Sequence, residues 1–119
     1  MGHLSTHVLD TMHGCPAAGM QLTLQRIHPD GSVETLQHIT LNDDGRNDGG
    51  ALLKAESMAQ GRYRLLFSVA AYFRQRGVTL PDPPFIDVVP IDFGIHDAQG
   101  HYHVPLLVSP WSYATYRGS

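Results

Sequence analysis

The sequence has a single cysteine, Cys15, in 119 residues, so no intrachain disulfide can form and zinc sites built from several cysteines are excluded. No apolar run approaches the ~18 residues that a membrane-spanning helix requires, and the N-terminus lacks the charged-then-apolar layout of a signal peptide. The Gly-x-Ser-x-Gly, His-Glu-x-x-His and glycine-rich phosphate-binding motifs are also missing. We therefore expect a protein of the cytoplasm, or of the periplasm if the chain is a processed form. We also expect that any catalysis does not use these common motifs.

Charged residues are scarce, whereas histidines are frequent. Charged residues make up 16% of the chain, below the figure of about 25% that is usual for globular proteins. With the histidines neutral the net charge is −3, and no basic stripe indicates a nucleic-acid partner. A small domain with few charges often buries part of its surface in an oligomer. The eight histidines equal lysine and arginine combined, and histidine both titrates near neutrality and binds metals more often than any other side chain.

The dominant hydrophobic period is two residues, which is typical of half-buried β-strands. Strands are predicted at residues 4–9, 20–25, 33–40, 63–69, 89–95, 101–108 and 113–118. Because Pro90 cannot donate a ladder hydrogen bond, we expect its strand at a sheet edge. Residues 70–76 predict a short helix that ends at Gly77, and residues 14–19 predict a turn. The sequence therefore predicts one all-β domain over residues 1–119, a sandwich of about eight strands with one short helix.

Several polar residues stand where chemistry can use them. His7 faces away from the apolar residues of its strand, and His101 and His103 share one face of another strand. Arg46 follows a tight turn, and the chain ends in the polar run Tyr116–Ser119. Each of these alone is more often an ordinary solvent-facing residue, and spacing also leaves open a zinc site made of His7, His101 and His103. The remaining histidines lie near strand ends or turns and are expected at the surface: His3, His13, His28, His38 and His96.

Four blocks of sequence form a pattern that runs from one end of the chain to the other. They are Leu4–Thr11 with Gly14–Ala17, Asn42–Arg46, His101–Pro110 and Tyr113–Ser119. The order and spacing of these blocks resemble those of the 5-hydroxyisourate hydrolases, and the terminal block is long and unusual enough to be specific. The chain departs from that family at Pro84–Asp87, where consecutive phenylalanines and a proline are usual.

The resemblance implies a transthyretin-like β-sandwich that assembles as a homotetramer, a dimer of dimers whose facing sheets enclose the active sites. It implies hydrolysis of 5-hydroxyisourate to 2-oxo-4-hydroxy-4-carboxy-5-ureidoimidazoline in urate breakdown, with no metal and no cofactor. The family's catalytic residues fall on His7, Arg46 and His103. Its substrate-binding residues fall on His7, Arg46, Tyr116, Arg117, Gly118 and Ser119.

These residue types suit hydrolysis of a cyclic amide. A neutral imidazole can activate water, and an arginine can stabilise a developing oxyanion. The sequence leaves open whether His7 or His103 is the base. The rival interpretations are a non-catalytic carrier of a small aromatic ligand, such as transthyretin, and a purely structural sandwich. The carrier lacks the two histidines, the loop arginine and the terminal block that this chain has.

Overall fold

The computed structural model describes residues 1–118, and Ser119 lies outside the described residues. Eight β-strands and one α-helix follow one another along this part of the chain. They are β1 (His3–Asp10), β2 (Cys15–Pro16), β3 (Gln21–Ile27), β4 (Val33–Thr40), β5 (Gly61–Ser68), α1 (Val69–Gln75), β6 (Val88–Ile95), β7 (His101–Val108) and β8 (Tyr113–Thr115). Over residues 1–118, no helix is long and apolar enough to cross a membrane.

The strands form two four-stranded sheets around one apolar core. The first sheet has the order β2-β1-β7-β8, and the second has the order β4-β3-β5-β6. Neighbouring strands are antiparallel except β1 and β7, which run parallel. Side chains from both sheets and from α1 meet in the core. The predicted all-β sandwich with one short helix is therefore confirmed, and the strand containing Pro90 lies at a sheet edge as expected.

At two places near turns, the type of element differs from the prediction. Cys15–Pro16, expected within a turn, pairs antiparallel with the end of β1. Val69, expected to end a strand, instead begins α1. The predicted stop at Gly77 is confirmed, because this residue follows the helix with a φ of +85°, the left-handed conformation common just after helix ends.

The last strand is also shorter than predicted, ending at Thr115. In the register of β7 and β8, Pro105 is the residue opposite position 116, and proline has no N–H to donate to the ladder. Thr115 Oγ1 donates to the carbonyl oxygen of Pro105 at 2.7 Å. Pairing resumes at an isolated bridge between His103 and Gly118. The chain up to Gly118 therefore runs beside the segment of β7 that carries His103.

Asp10 is a buried carboxylate at the end of β1, with 1% of its surface exposed. It accepts hydrogen bonds from the Tyr72 hydroxyl of α1 at 2.7 Å, from the His13 backbone N–H at 2.9 Å and from His13 Nδ1 at 2.6 Å. Burial alone would raise the pKa of Asp10, but these hydrogen bonds lower it below its ordinary value, so the carboxylate is ionised at neutral pH. The network fastens α1 to the first sheet.

Replacing Asp10 by alanine is expected to lower the free energy of unfolding by about 2–4 kcal/mol, because the Tyr72 hydroxyl and the His13 ring lose their acceptor. The midpoint of urea-induced unfolding should fall while its slope stays constant. Asp87→Ala, at an exposed aspartate, is the control and should change stability by less than about 0.5 kcal/mol. An equally small change in Asp10→Ala would mean that the network adds no stability.

Candidate active site

Strands β1 and β7 lie side by side in the middle of the first sheet, and their outer face carries the histidines. The parallel register places His3 beside His101 and Ser5 beside His103, with His7 two residues further along β1. The ring centroids of His3 and His101 are 4.2 Å apart. Along β1 and β7 the residues that alternate with the histidines and Ser5 are buried. The histidine and serine side chains therefore face outward.

The ring of His103 is held on two sides. Its Nδ1 lies 2.8 Å from Ser5 Oγ. A Cβ added to Gly118 would lie 2.6 Å from His103 Cδ2, so the Gly118 backbone packs directly against the ring. The Gly118 N–H also donates to the His103 carbonyl oxygen at 2.8 Å. Nε2 is left as the ring nitrogen without a hydrogen-bond partner among residues 1–118, and it is free to contact a ligand.

Arg46 reaches this face from the loop after β4. Asn42 Oδ1 accepts hydrogen bonds from the backbone N–H groups of Asp44 and Arg46, at 2.9 and 3.1 Å. Gly45 has a φ of +70°, and its carbonyl accepts the N–H of Val8 in β1 at 2.9 Å. A Cβ at residue 45 would lie 2.5 Å from the Val8 carbonyl oxygen, so only glycine permits this approach. The turn therefore fixes the backbone of Arg46 next to β1.

The charge of Arg46 acts on both histidines. Burial, and then Arg46, lower the pKa of His7, whereas the backbone and carboxylate of Asp44 oppose this. Burial lowers the pKa of His103 most, followed by Arg46, His7 and His3. Both imidazoles are therefore neutral at neutral pH, the form in which a ring nitrogen can accept a proton. The structure thus brings His7, Arg46 and His103 into one electrostatically coupled group.

A depression of about 310 Å³ lies beside this group and is lined by His3, Ser5, Thr6, Arg46, Gly50 and Ala51. Its volume falls at the lower end of the roughly 300–1,000 Å³ typical of small-molecule sites. A second groove of about 350 Å³, with mainly apolar walls, opens between β6 and the end of the chain. We place the chemistry at the first depression, because Arg46 and Ser5, the hydrogen-bond partner of His103, line it.

The described part of the chain contains no group of three or more His, Cys, Asp or Glu side chains arranged to hold a metal ion. His101, one of the three histidines that spacing left open as a zinc site, has its Nε2 2.9 Å from the carbonyl oxygen of Met1. The geometry therefore does not assemble that three-histidine site.

The predicted substrate-binding residues at the chain terminus are not all beside the histidines. Gly118 contacts His103, as described above. The Arg117 guanidinium lies 4.2 Å from the ring centroid of Tyr102, a side chain on the opposite face of β7 from His103. Tyr116 is 61% exposed and lines the apolar groove. The prediction for Ser119 concerns a residue outside the described part of the chain.

Comparison with known proteins places the chain in a family. A sequence model of the HIUase/Transthyretin family matches residues 4–118. The 5-hydroxyisourate hydrolase 2 of Rhizobium meliloti is 50% identical over 118 residues, which are 99% of this chain and 97% of that protein. Among solved structures, (S)-allantoin synthase has a TM-score of 0.93 at 45% identity, covering 99% of this chain and 44% of that chain. The 5-hydroxyisourate hydrolase of Klebsiella pneumoniae has a TM-score of 0.81 at 34% identity, covering 100% of both chains. The chain belongs to the HIUase/Transthyretin family.

Proposed function

We propose that this chain hydrolyses 5-hydroxyisourate to 2-oxo-4-hydroxy-4-carboxy-5-ureidoimidazoline, a step of urate breakdown, without a cofactor. The observation that carries the proposal is the electrostatic coupling of two neutral imidazoles, His7 and His103, to Arg46, whose side chain lines a depression beside them. The two histidines and the loop arginine are the groups that separate the hydrolases from the carrier. Relatives named 5-hydroxyisourate hydrolase match nearly the whole chain at 50% identity, which supports the same substrate.

In the proposed reaction His7 is the base. Burial and Arg46 lower its pKa, whereas the backbone and carboxylate of Asp44 favour the protonated ring. In the neutral ring one nitrogen keeps its hydrogen, and the other is free to take a proton from water. The water oxygen bonds to the substrate's ring carbonyl carbon. When the carbon–nitrogen bond breaks, His7 returns the proton to the leaving nitrogen, so the atoms balance without a covalent intermediate.

Arg46 and His103 would stabilise the negative charge that develops on the carbonyl oxygen. Arginine stays protonated and presents a planar fork of donors, which suits an oxyanion. His103 Nε2 points from a ring that Ser5 and Gly118 hold in place. Tyr116, Arg117, Gly118 and Ser119 are proposed to bind the substrate's polar ring together with His7 and Arg46.

We also propose that the chain assembles as a homotetramer, a dimer of dimers. Edge strands β6 and β8 flank the same apolar groove, and each has one unpaired edge. The large exposed apolar residues near these edges are Phe85, Val88, Trp111, Tyr113 and Tyr116. A second copy along these edges would cover that surface. Packing two histidine-bearing faces together would exclude water from the sites and strengthen their electrostatic contacts.

The test is to generate 5-hydroxyisourate in situ with urate oxidase and to follow its absorbance decay with and without the protein, before and after treatment with a chelator. The proposal requires a decay faster than the spontaneous one that survives chelation. A folded, tetrameric protein that leaves the spontaneous rate unchanged would contradict the hydrolase and favour a carrier. Loss of the acceleration with the chelator would contradict the metal-free reaction.

Replacing Gly118 by alanine is expected to lower kcat/KM for 5-hydroxyisourate by roughly 10–100-fold, because the new Cβ displaces the His103 ring from its position. The same absorbance assay measures the loss. The control is Gly31→Ala in the β3–β4 turn, where φ is +89° and no atom lies within 4 Å of an added Cβ. It should lower stability while leaving the activity of the folded protein unchanged. Full activity of Gly118→Ala would show that the ring tolerates the displacement.

A further inference from the structure

Ser5 makes one side-chain hydrogen bond within the described residues, and its partner is His103. The two residues are paired in the parallel register of β1 and β7, and Ser5 Oγ lies 2.8 Å from Nδ1. The serine is half-buried on the same strand face as His7. A catalytic histidine in many sites is oriented by a carboxylate or a carbonyl, which can only accept a hydrogen bond. A hydroxyl can either donate or accept, so the environment decides which ring nitrogen carries the hydrogen.

The hydrogen-bond inventory favours the hydroxyl as donor. If Nδ1–H donated to Oγ, the hydroxyl hydrogen of Ser5 would need another acceptor, and residues 1–118 supply none. If Oγ–H donates to Nδ1, one hydrogen bond satisfies both groups. The second arrangement satisfies both groups within the protein, whereas the first leaves the hydroxyl hydrogen to solvent in the depression, so the second is preferred.

The charges around His103 favour a neutral ring as well. Within residues 1–118, the titratable or charged groups that act on it are His3 and His7 from β1 and Arg46 from the loop, and His101 lies two residues away on β7. All of these are cationic or can become so, and each disfavours a second proton on the ring. A neutral ring that accepts at Nδ1 must carry its hydrogen on Nε2. That is the nitrogen left free for a ligand.

We propose that Ser5 is a positioning residue that selects the tautomer of His103: Oγ–H donates to Nδ1, so that Nε2–H faces the substrate and donates to the developing oxyanion beside Arg46. This inference rests on the proposed hydrolysis. In this role His103 gives a hydrogen bond and keeps its proton, while His7 alone carries the proton from water to the leaving nitrogen. The two imidazoles thus have opposite tasks: His7 accepts a proton, and His103 donates a hydrogen bond.

The tautomer can be read directly by ¹⁵N NMR of the histidine rings in the ligand-free protein, with the His103 signals assigned by their loss in His103→Gln. We expect a protonated Nε2 and an unprotonated, hydrogen-bonded Nδ1. Ser5→Asp should move the hydrogen to Nδ1, because a carboxylate can only accept. A protonated Nδ1 in the unaltered protein would overturn the proposal. This measurement does not depend on turnover, so it can overturn the proposed role of Ser5 independently of the proposed function.

The pH profile of Ser5→Asp separates a donor role of His103 from a base role. The carboxylate raises the pKa of the histidine, and the neutral ring then lacks Nε2–H, whereas the protonated ring still has it. We therefore expect kcat/KM of this variant to fall as the pH rises through the new pKa, an alkaline limb that the unaltered protein lacks. If His103 were the base, activity would instead persist at high pH and fall on the acid side. That result would overturn the proposal.

Two milder variants test the hydroxyl itself. Ser5→Ala should lower kcat roughly tenfold with little change in KM, and Ser5→Thr, which keeps a hydroxyl, should restore most of the loss. The matched control is Thr23→Val on the second sheet, which removes another hydroxyl-to-histidine contact, 3.2 Å from Thr23 Oγ1 to His38 Nδ1. It should leave kcat unchanged. Equal losses in Ser5→Ala and Ser5→Thr would mean that Ser5 acts by shape alone.

Discussion

Replacing His7 by glutamine is expected to lower kcat for 5-hydroxyisourate by roughly 10²–10⁴-fold, the usual contribution of a positioned general base. Glutamine is polar and of similar size, but it cannot take up a proton at neutral pH. Residue 7 is half-buried on the outer face of β1, away from the core, so the midpoint of urea-induced unfolding should change little. Absorbance decay of substrate generated in situ measures the rate, and urea unfolding checks the fold.

The matched control is His38→Gln on the outer face of the second sheet, where the histidine is exposed. This variant should keep the full rate. A second comparison uses His103→Gln, in which the glutamine amide can still donate a hydrogen bond. The fall in kcat should therefore be smaller in His103→Gln than in His103→Ala. If His7→Gln retained more than about a tenth of the rate, His7 would not be the base.

The local parts of the fold could be predicted from the sequence because they depend on period and turn chemistry. The period of two in β1 and β7 places buried residues on one face and histidines on the other. The same period also places Asp10 on the buried face of β1, which is the sequence signal of its buried network. The hydrophobic period does not reveal which strands pair with one another. The strand formed by Cys15–Pro16 and the break opposite Pro105 depend on which strand lies alongside.

For the candidate site too, the sequence indicates individual residues, whereas their contacts depend on strand pairing. The resemblance selected His7, Arg46 and His103 by position, and the structure brings them together through the parallel register of β1 and β7 and the turn before Arg46. The contact between Ser5 and His103 spans 98 positions and appears only once that register is known. The available signal was that Ser5 shares the strand face of His7. The direction of Arg117 toward Tyr102 could not be predicted, because it depends on how the terminal run leaves β8.

Replacing Arg46 by glutamine is expected to have two effects that arise from one charge. The rate constant kcat/KM should fall by roughly 10²–10³-fold, because the developing oxyanion loses its cationic donor. The pKa values of His7 and His103 should rise, since Arg46 is second only to burial in lowering both. His7 must be neutral to act as a base, so activity is lost as the pH falls through its pKa. The acid limb of the pH profile should therefore move to higher pH.

Arg46→Lys separates the charge from the shape of the guanidinium. Lysine keeps the positive charge, so the acid limb should stay near that of the unaltered protein. It lacks the planar fork of donors, so a substantial part of the rate should still be lost. The control is Arg62→Gln on β5, at an exposed arginine of the second sheet, which should change neither the rate nor the limb. If Arg46→Gln left the acid limb where it was, Arg46 would not set the protonation of the histidines. The three side chains would then not be electrostatically coupled.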